Sequence, residues 1–332
     1  MNVRSPVAAA FAVTAAATSL LTLTFGLRAV LGMFIGPINS ATGLGFAAVS
    51  LALAVSQLVA GVSQPLCGAL SDRFGPARIV VVGGVLLALG TAMLTLASSQ
   101  ASLMLAFGLV AAATGAVGST PVLLAAVNAR VAESRRGIAT GIVGSGASLG
   151  QFALPPLTQL SMGAAGWANA LIGLALLSLA ALPLARVLPA TPSRRSPAES
   201  AAAPGEGVDA TPREAFADAR YWAIAAGFAA CGFHVAFMLA HMPGVIEGCG
   251  FSGQLAGTWF SIMGLANMAG SIGIGFALQC FAPKRILALI YAARALGLAV
   301  FLWAPKTEAV LIGFALWMGV TYMATMPPTA AM

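Results

Sequence analysis

Charge is what this chain has least of. Only 8% of its 332 residues are Asp, Glu, Lys or Arg, while 59% are apolar and the mean hydropathy is +0.95. A soluble domain carries about 25% charged residues, so a water-exposed globular surface is excluded. The acidic residues number nine and the histidines two; no Asp or Glu falls inside an apolar run. No His/Glu metal motif and no phosphate-binding loop after a strand is present, so neither nucleotide, metal nor other cofactor is expected. The four cysteines, Cys67, Cys231, Cys249 and Cys280, lack metal-like spacing. Three of them sit within or at the ends of apolar runs, where they read as packing residues.

What the chain does have is long apolar runs. A helix needs about 20 apolar residues to cross a bilayer, and ten such runs lie at 9–36, 43–70, 78–97, 102–127, 137–160, 165–187, 221–246, 253–281, 284–304 and 309–332. These predict an all-α, multi-pass membrane protein whose main surroundings are the lipid bilayer. The first run could pass for a signal peptide, but it is about twice the usual length and leads into further spans.

The net charge of +7 is explained by placement. Arg4, Arg73 with Arg78, Arg130 with Arg135 and Arg136, the group Arg186, Arg194, Arg195, Arg213 and Arg220, and Lys284 with Arg285 occupy alternate loops, while the opposite loops hold only Lys306. The positive-inside rule places the N-terminus and every basic loop in the cytoplasm, at a bacterial inner membrane. The charge encodes topology, and no nucleic-acid partner is expected.

Between Pro189 and Ala219 the chain turns rich in Pro, Ala, Ser and mixed charge, too polar to bury and too long for a tight turn. It divides a six-helix half over 1–188 from a half over 220–332 with helices 7–10 only, joined by a cytoplasmic linker over 189–219. The halves are related. Gly68, Phe74, Pro76 and Arg78 recur 207 residues later as Gly275, Phe281, Pro283 and Arg285, and in helices 1 and 7 Gly26, Arg28 and Pro37 align with Gly232, His234 and Pro243. The second repeat stops two helices short of the first, which reads as a truncated second half. The alignment further predicts that Arg28 and His234 face each other across the centre. Two parallel repeats of membrane helices are an architecture of secondary transporters.

The turn after helix 2, with Gly68, Asp72, Arg73, Gly75 and Arg78, resembles the signature turn of the major facilitator superfamily, although Pro76 and Ala77 replace basic positions common there. The entry to helix 5, from Arg135 through Gly141, Gly150 and Gln151 to Pro155 and Pro156, is similar to the monocarboxylate transporter and oxalate/formate antiporter branch. The resemblance covers helices 1–10. It implies the major facilitator fold, a monomer, alternating access for a small organic anion, and a conformational latch formed by the Asp72 and Arg73 turn. The branch's helix 1 lysine is matched by Arg28. Its helix 8 Asp and Arg, four residues apart, align with Asn267 and Ser271, so the family's proton-coupling carboxylate is absent. Uniport, antiport and a histidine-based coupling stay open.

Arg28 lies about 12 Å from Pro37 along its helix, where an arginine in lipid costs at least about 2.5 kcal/mol. Such a cation suits a carboxylate, bound through its fork of donors in a central aqueous cavity; the structural alternatives are snorkelling and the capping of buried carbonyls. His234 and His241, seven residues apart on one helical face, are the candidate proton carriers within the bundle, or else interhelical hydrogen-bonding groups. Gln57, Gln151 and Asn267 read as cavity-lining amides, with helix packing as the alternative. Arg294 is a second intramembrane cation, for which helix-end carbonyls or lipid phosphate would serve as partners. Gly137 with Gly141, Gly146 with Gly150, and Ser271 with Gly275 have the spacing of close helix contacts. Two rival readings complete the set: a non-transporting membrane remnant or scaffold, and an intramembrane serine hydrolase built on Gly146, Ser148 and Gly150. The unbroken helix expected there argues against the hydrolase, and no enzyme is expected.

Overall fold

The computed structural model describes residues 6–189, 217–325 and 328–329, and among them every regular element is a helix. Nearly all of the expected linker over 189–219, with Arg194, Arg195 and Arg213, lies outside the described residues, as does Arg4. The helices are α1 (Pro6–Val30), α2 (Ile35–Thr42), α3 (Phe46–Phe74), α4 (Pro76–Met93), α5 (Gln100–Val117), α6 (Thr120–Asn128), α7 (Arg136–Ala165), α8 (Trp167–Ser178), α9 (Ala181–Ala185), α10 (Ala219–Gly248), α11 (Gly253–Ala277), α12 (Pro283–Trp303) and α13 (Glu308–Thr321).

Eight helical stretches are long and apolar enough to cross a membrane. Two of the ten expected runs miss that measure for visible reasons. The fifth, α7, carries Gln151, Pro155, Pro156 and many Gly and Ser residues, and packs on α1 and on α11. The tenth was expected over 309–332, but α13 ends at Thr321. Pro327 and Pro328 lack the amide hydrogens that the carbonyls of Met323 and Ala324 would need to continue a helix. The first run is longer than expected. Pro37 removes a donor one turn after Met33, so the helix tightens to a 3-10 turn over Leu31–Phe34, then resumes as α2 until Gly43 at φ 66°.

Apolar side chains cover the outside: Leu58, Phe233, Leu289 and Leu302 are all more than 70% exposed. Lipid solvates such a surface, and the helices satisfy their own backbone. The interior is organised unevenly along the bundle axis. Toward the end that carries Lys306, a single core joins both repeats, with Val30, Phe34, Leu53, Phe107, Met238, Trp259, Phe260 and Phe314 in contact. Toward the end with the basic turns the cores are separate, one around Val13, Leu20, Leu123 and Val143 and another around Ile286, Ile290 and Ala324. The bundle is therefore sealed at the Lys306 end and split at the basic end.

Glycines set how closely the repeats meet at the sealed end. A Cβ on Gly32 would strike the carbonyls of Leu239 and Ala240 in α10, and one on Gly264 would lie 2.9 Å from the Phe152 nitrogen in α7. The spacing motifs read from sequence divide. Gly146 and Gly150 pack on the α1 backbone at Thr18, Thr22 and Gly26, within the first repeat, whereas Gly137, Gly141 and Gly275 have open space beside them. Close approach between the repeats depends on Gly32 of the first and on Gly257 and Gly264 of α11, none of which belongs to those spacing motifs.

Candidate functional site

A cavity of about 420 Å³ lies between the separated cores. It is lined by Leu21 and Phe25 of α1, Thr120 of α6, Gly141, Gly144, Ser145 and Ser148 of α7, Asn267, Met268 and Ser271 of α11, and Met323 beyond α13. Helical spacing extends each wall inward. Leu21, Phe25 and Arg28 share one face of α1, and Ser145, Ser148 and Gln151 share one face of α7. Both faces run toward the sealed end, so Arg28 and Gln151 lie one turn deeper than the cavity lining.

Arg28 is largely buried there, and its Nη2 donates to Gln57 Oε1 of α3 at 3.1 Å. Two further polar groups at this level of the bundle are buried without partners: Gln151 Nε2, next to the Gly150 contact on Gly26, and the Tyr322 hydroxyl. Tyr322 follows α13 directly and packs in the joined core with Leu27, Val30 and Leu31, the apolar residues on either side of Arg28. Buried polar atoms are normally paired, so a guanidinium, an amide donor and a hydroxyl left open in one region describe a place for an oxygen-rich guest. Between this region and the cavity runs a polar layer. Asn267 Nδ2 donates to Ser148 Oγ at 3.1 Å, and the Met323 amide donates to Asn267 Oδ1 at 3.0 Å.

His234 takes a different position from the one expected of it. It lines a groove between α10 and α12 with Phe237, Tyr291 and Arg294, and its buried Nε2 has no hydrogen-bond partner. Arg28 and His234 are not brought face to face. The one-residue slip between the repeats in these helices turns the aligned position by about 100° around the axis, enough to carry a side chain from the centre to the flank. His241 shares the face of His234 and lies against Phe237, its ring tilted by 46° with centroids 4.9 Å apart. Arg294 is 4% exposed and meets helix-end carbonyls, those of Thr321 and Tyr322.

The expected latch lies at the basic end. Gly75, at φ 89°, makes the turn from α3 to α4, and Pro76 starts α4. Asp72 and Arg73 are exposed. Asp72 lines a second cavity of about 490 Å³ with Gly68, Ser71, Ser119 and Arg130, and Arg73 lies over the Phe74 ring, 5.2 Å from its centroid. Arg78 is likewise exposed, and Gly68 is half-buried. The Ala77 amide donates to the Pro189 carbonyl at 3.3 Å, tying this turn to the end of the first half.

Ser148 is not set up as a nucleophile. It sits in continuous helix, its hydroxyl accepts from Asn267, and the flanking Gly146 and Gly150 serve as contacts to α1. Sequence reasoning missed Tyr322. The signal available was Pro327 and Pro328, which foretell an interrupted helix about one turn earlier.

A membrane bundle of two helical repeats, sealed at one end and enclosing a cavity with a buried cation at its depth, defines a polytopic facilitator-type protein. The Major Facilitator Superfamily model matches residues 7–332, and the chain belongs to that family. Its similarity to bovine (Bos taurus) monocarboxylate transporter 13 is 34% identity over 157 residues, 47% of this chain and 36% of the relative. To the oxalate:formate antiporter of Oxalobacter formigenes it is 28% over 141 residues, 42% of this chain and 33% of the relative. The matched segments thus span about a third of these relatives' lengths. A solved bacterial homologue of the human lysosomal transporter Spinster, in an inward-facing and occupied conformation, superposes with a TM-score of 0.65 at 19% identity, over 94% of this chain and 72% of that one. That likeness establishes the fold.

Proposed function

We propose that this chain carries a small organic anion, with a carboxylate as the bound group, across a bacterial inner membrane by alternating access. The observation that carries this reading is Arg28. A guanidinium largely buried at mid-bundle and held by the neutral Gln57 has no carboxylate in contact among the described residues, and the Gln151 amide and Tyr322 hydroxyl, on the helices around it, are themselves without partners. A carboxylate would both neutralise it and accept from the neighbouring donors. The relatives named for monocarboxylates and for oxalate and formate agree with an anionic cargo.

Alternating access has a physical basis in the uneven core. One shared core seals the Lys306 end, and two separate cores flank the cavity at the basic end; rocking one repeat against the other would reverse that arrangement. With the basic loops cytoplasmic, the conformation described is open inward. Gly68, Asp72, Arg73, Gly75 and Arg78 act as the conformational latch at that face. His234 and His241 remain the candidate proton carriers, acting from the flank of α10.

Uptake into proteoliposomes containing the full chain tests the reading, with radiolabelled L-lactate and oxalate as probes. Arg28→Gln should abolish saturable uptake with little loss of folding. Gln57→Glu should also abolish it while preserving or raising thermal stability, because an internal carboxylate then satisfies Arg28. Binding that survives Arg28→Gln would remove Arg28 from the site. Absence of saturable flux in the unaltered chain, for these or any other carboxylates, would leave a non-transporting membrane scaffold.

A further inference from the structure

Arg294 stands where the first repeat has an apolar side chain. At the repeat offset of 207 residues its counterpart is Leu87, which is fully buried. A guanidinium in such a position is costly unless its donors are used, and here they are. Nε donates to the Thr321 carbonyl at 3.1 Å, Nη2 donates to the carbonyls of Thr321 and Tyr322, and Nη1 reaches Cys231 Sγ of α10 at 3.1 Å. Cys231 Sγ in turn lies 3.2 Å from Thr325 Oγ1.

These contacts converge on one place. Thr321 and Tyr322 are where α13 stops, so their carbonyls are the ones a further helical turn would have engaged. Asn267 of α11 holds the other side of the same break through the Met323 amide at 3.0 Å. The first repeat is interrupted at the matching point: α5 ends at Val117, and Pro121 follows, which falls on Pro328 at the repeat offset. There Thr24 packs against Gly118. Interrupted helices at corresponding positions of two halves mark the binding region in transporters of this kind, and Thr120 and Met323, one from beside each break, line the same cavity. Among the described residues an arginine clamps the second break, and the tyrosine at that break packs in the core cluster that holds Leu27 and Leu31 beside Arg28.

We infer that Arg294 is a positioning residue for anion binding: from outside the cavity it clamps the broken backbone of the tenth span and so aims the Tyr322 hydroxyl at the anion held by Arg28. Arg294 does not touch the anion, since four of its five N–H groups are engaged within the protein. The inference rests on the anion site proposed above.

A double-mutant cycle on the full chain in nanodiscs tests it, using Tyr322→Phe and Arg294→Gln singly and together, with calorimetric Kd for L-lactate and oxalate. If Arg294 acts through Tyr322, each single change weakens binding about tenfold and the pair weakens it no more than either alone. Multiplied effects, as a general structural role would give, overturn the inference, and so does unchanged affinity in Arg294→Gln. Arg294→Lys keeps the charge without the fork, serves as the second variant if Arg294→Gln does not fold, and should give an intermediate loss. A second readout needs no ligand: amide hydrogen exchange over Tyr322–Thr325 should rise at least about tenfold in Arg294→Gln or Arg294→Lys while that over Gly253–Phe260 stays constant. Unchanged exchange there removes the clamp. If neither probe binds the unaltered chain, the anion reading fails on its own, and the exchange result still decides whether Arg294 holds the break.

Discussion

The Asn267 side-chain amide donates to the Ser148 hydroxyl at 3.1 Å, and this bond crosses from the second repeat to the first. It lies where the joined core gives way to the cavity, so it is a tie that a rocking motion must break. Because Asn267 also accepts from the Met323 amide, the tie connects α7 and α11 with the interrupted tenth span.

Ser148→Ala should loosen the sealed end. A net hydrogen bond contributes about 1 kcal/mol, which corresponds to about a fivefold shift between two conformations. Deuterium uptake over Leu31–Phe34 and over Gly253–Phe260 is expected to rise by about that factor. If uptake in both segments matches the unaltered chain, the bond is not a tie between conformations.

Gly32→Ala should be poorly tolerated, because its Cβ would meet backbone carbonyls of Leu239 and Ala240, which cannot rotate away. The expected cost is about 1–3 kcal/mol, typical of overpacking, and it falls on the state sealed at the Lys306 end. Gly61→Ala is the control, since nothing lies near that position. Thermal unfolding in one detergent compares the two; equal midpoints would mean that the α1 and α10 backbones do not need their close contact.

Two native cysteines report the orientation. Cys249 follows α10 at the Lys306 end, Cys280 follows α11 at the basic end, and both are exposed. With the basic loops cytoplasmic, a membrane-impermeant maleimide added to intact cells should modify Cys249, and Cys280 only after inversion of the membrane. Mass spectrometry of the two peptides reads the result, and the reverse pattern would invert the topology.

Much of the architecture was legible along the chain. Apolar runs bounded by basic turns located the helices, and the recurrence of Phe74, Pro76 and Arg78 as Phe281, Pro283 and Arg285 revealed the repeat. Such features are local, fixed by what lipid will solvate and by what a turn requires of Gly75 and Pro76. The tenth span was less legible, since its hydropathy continues past the point at which α13 stops. There, backbone hydrogen bonding and the proline pair decide against apolarity.

Arg28, Gln57, Gln151 and Asn267 were each singled out because a polar group in an apolar run is costly. That cost marks a residue as needing a partner but does not name the partner. Pairing Arg28 with Gln57, Asn267 with Ser148 and Arg294 with the carbonyls of Thr321 and Tyr322 required helices far apart in sequence to be set side by side. His234 shows the limit most directly. A repeat alignment assigns a level along the bundle axis, whereas the direction a side chain takes around the helix changes by about 100° for each residue of slip.

The sequence by itself determined a multi-pass helical bundle built from two related halves, because hydropathy and turn chemistry act over a few residues. Tertiary structure alone decided which end is sealed, which polar groups were left open around Arg28, and that Tyr322 stands among them, because those properties arise only where separate helices exclude lipid and water together.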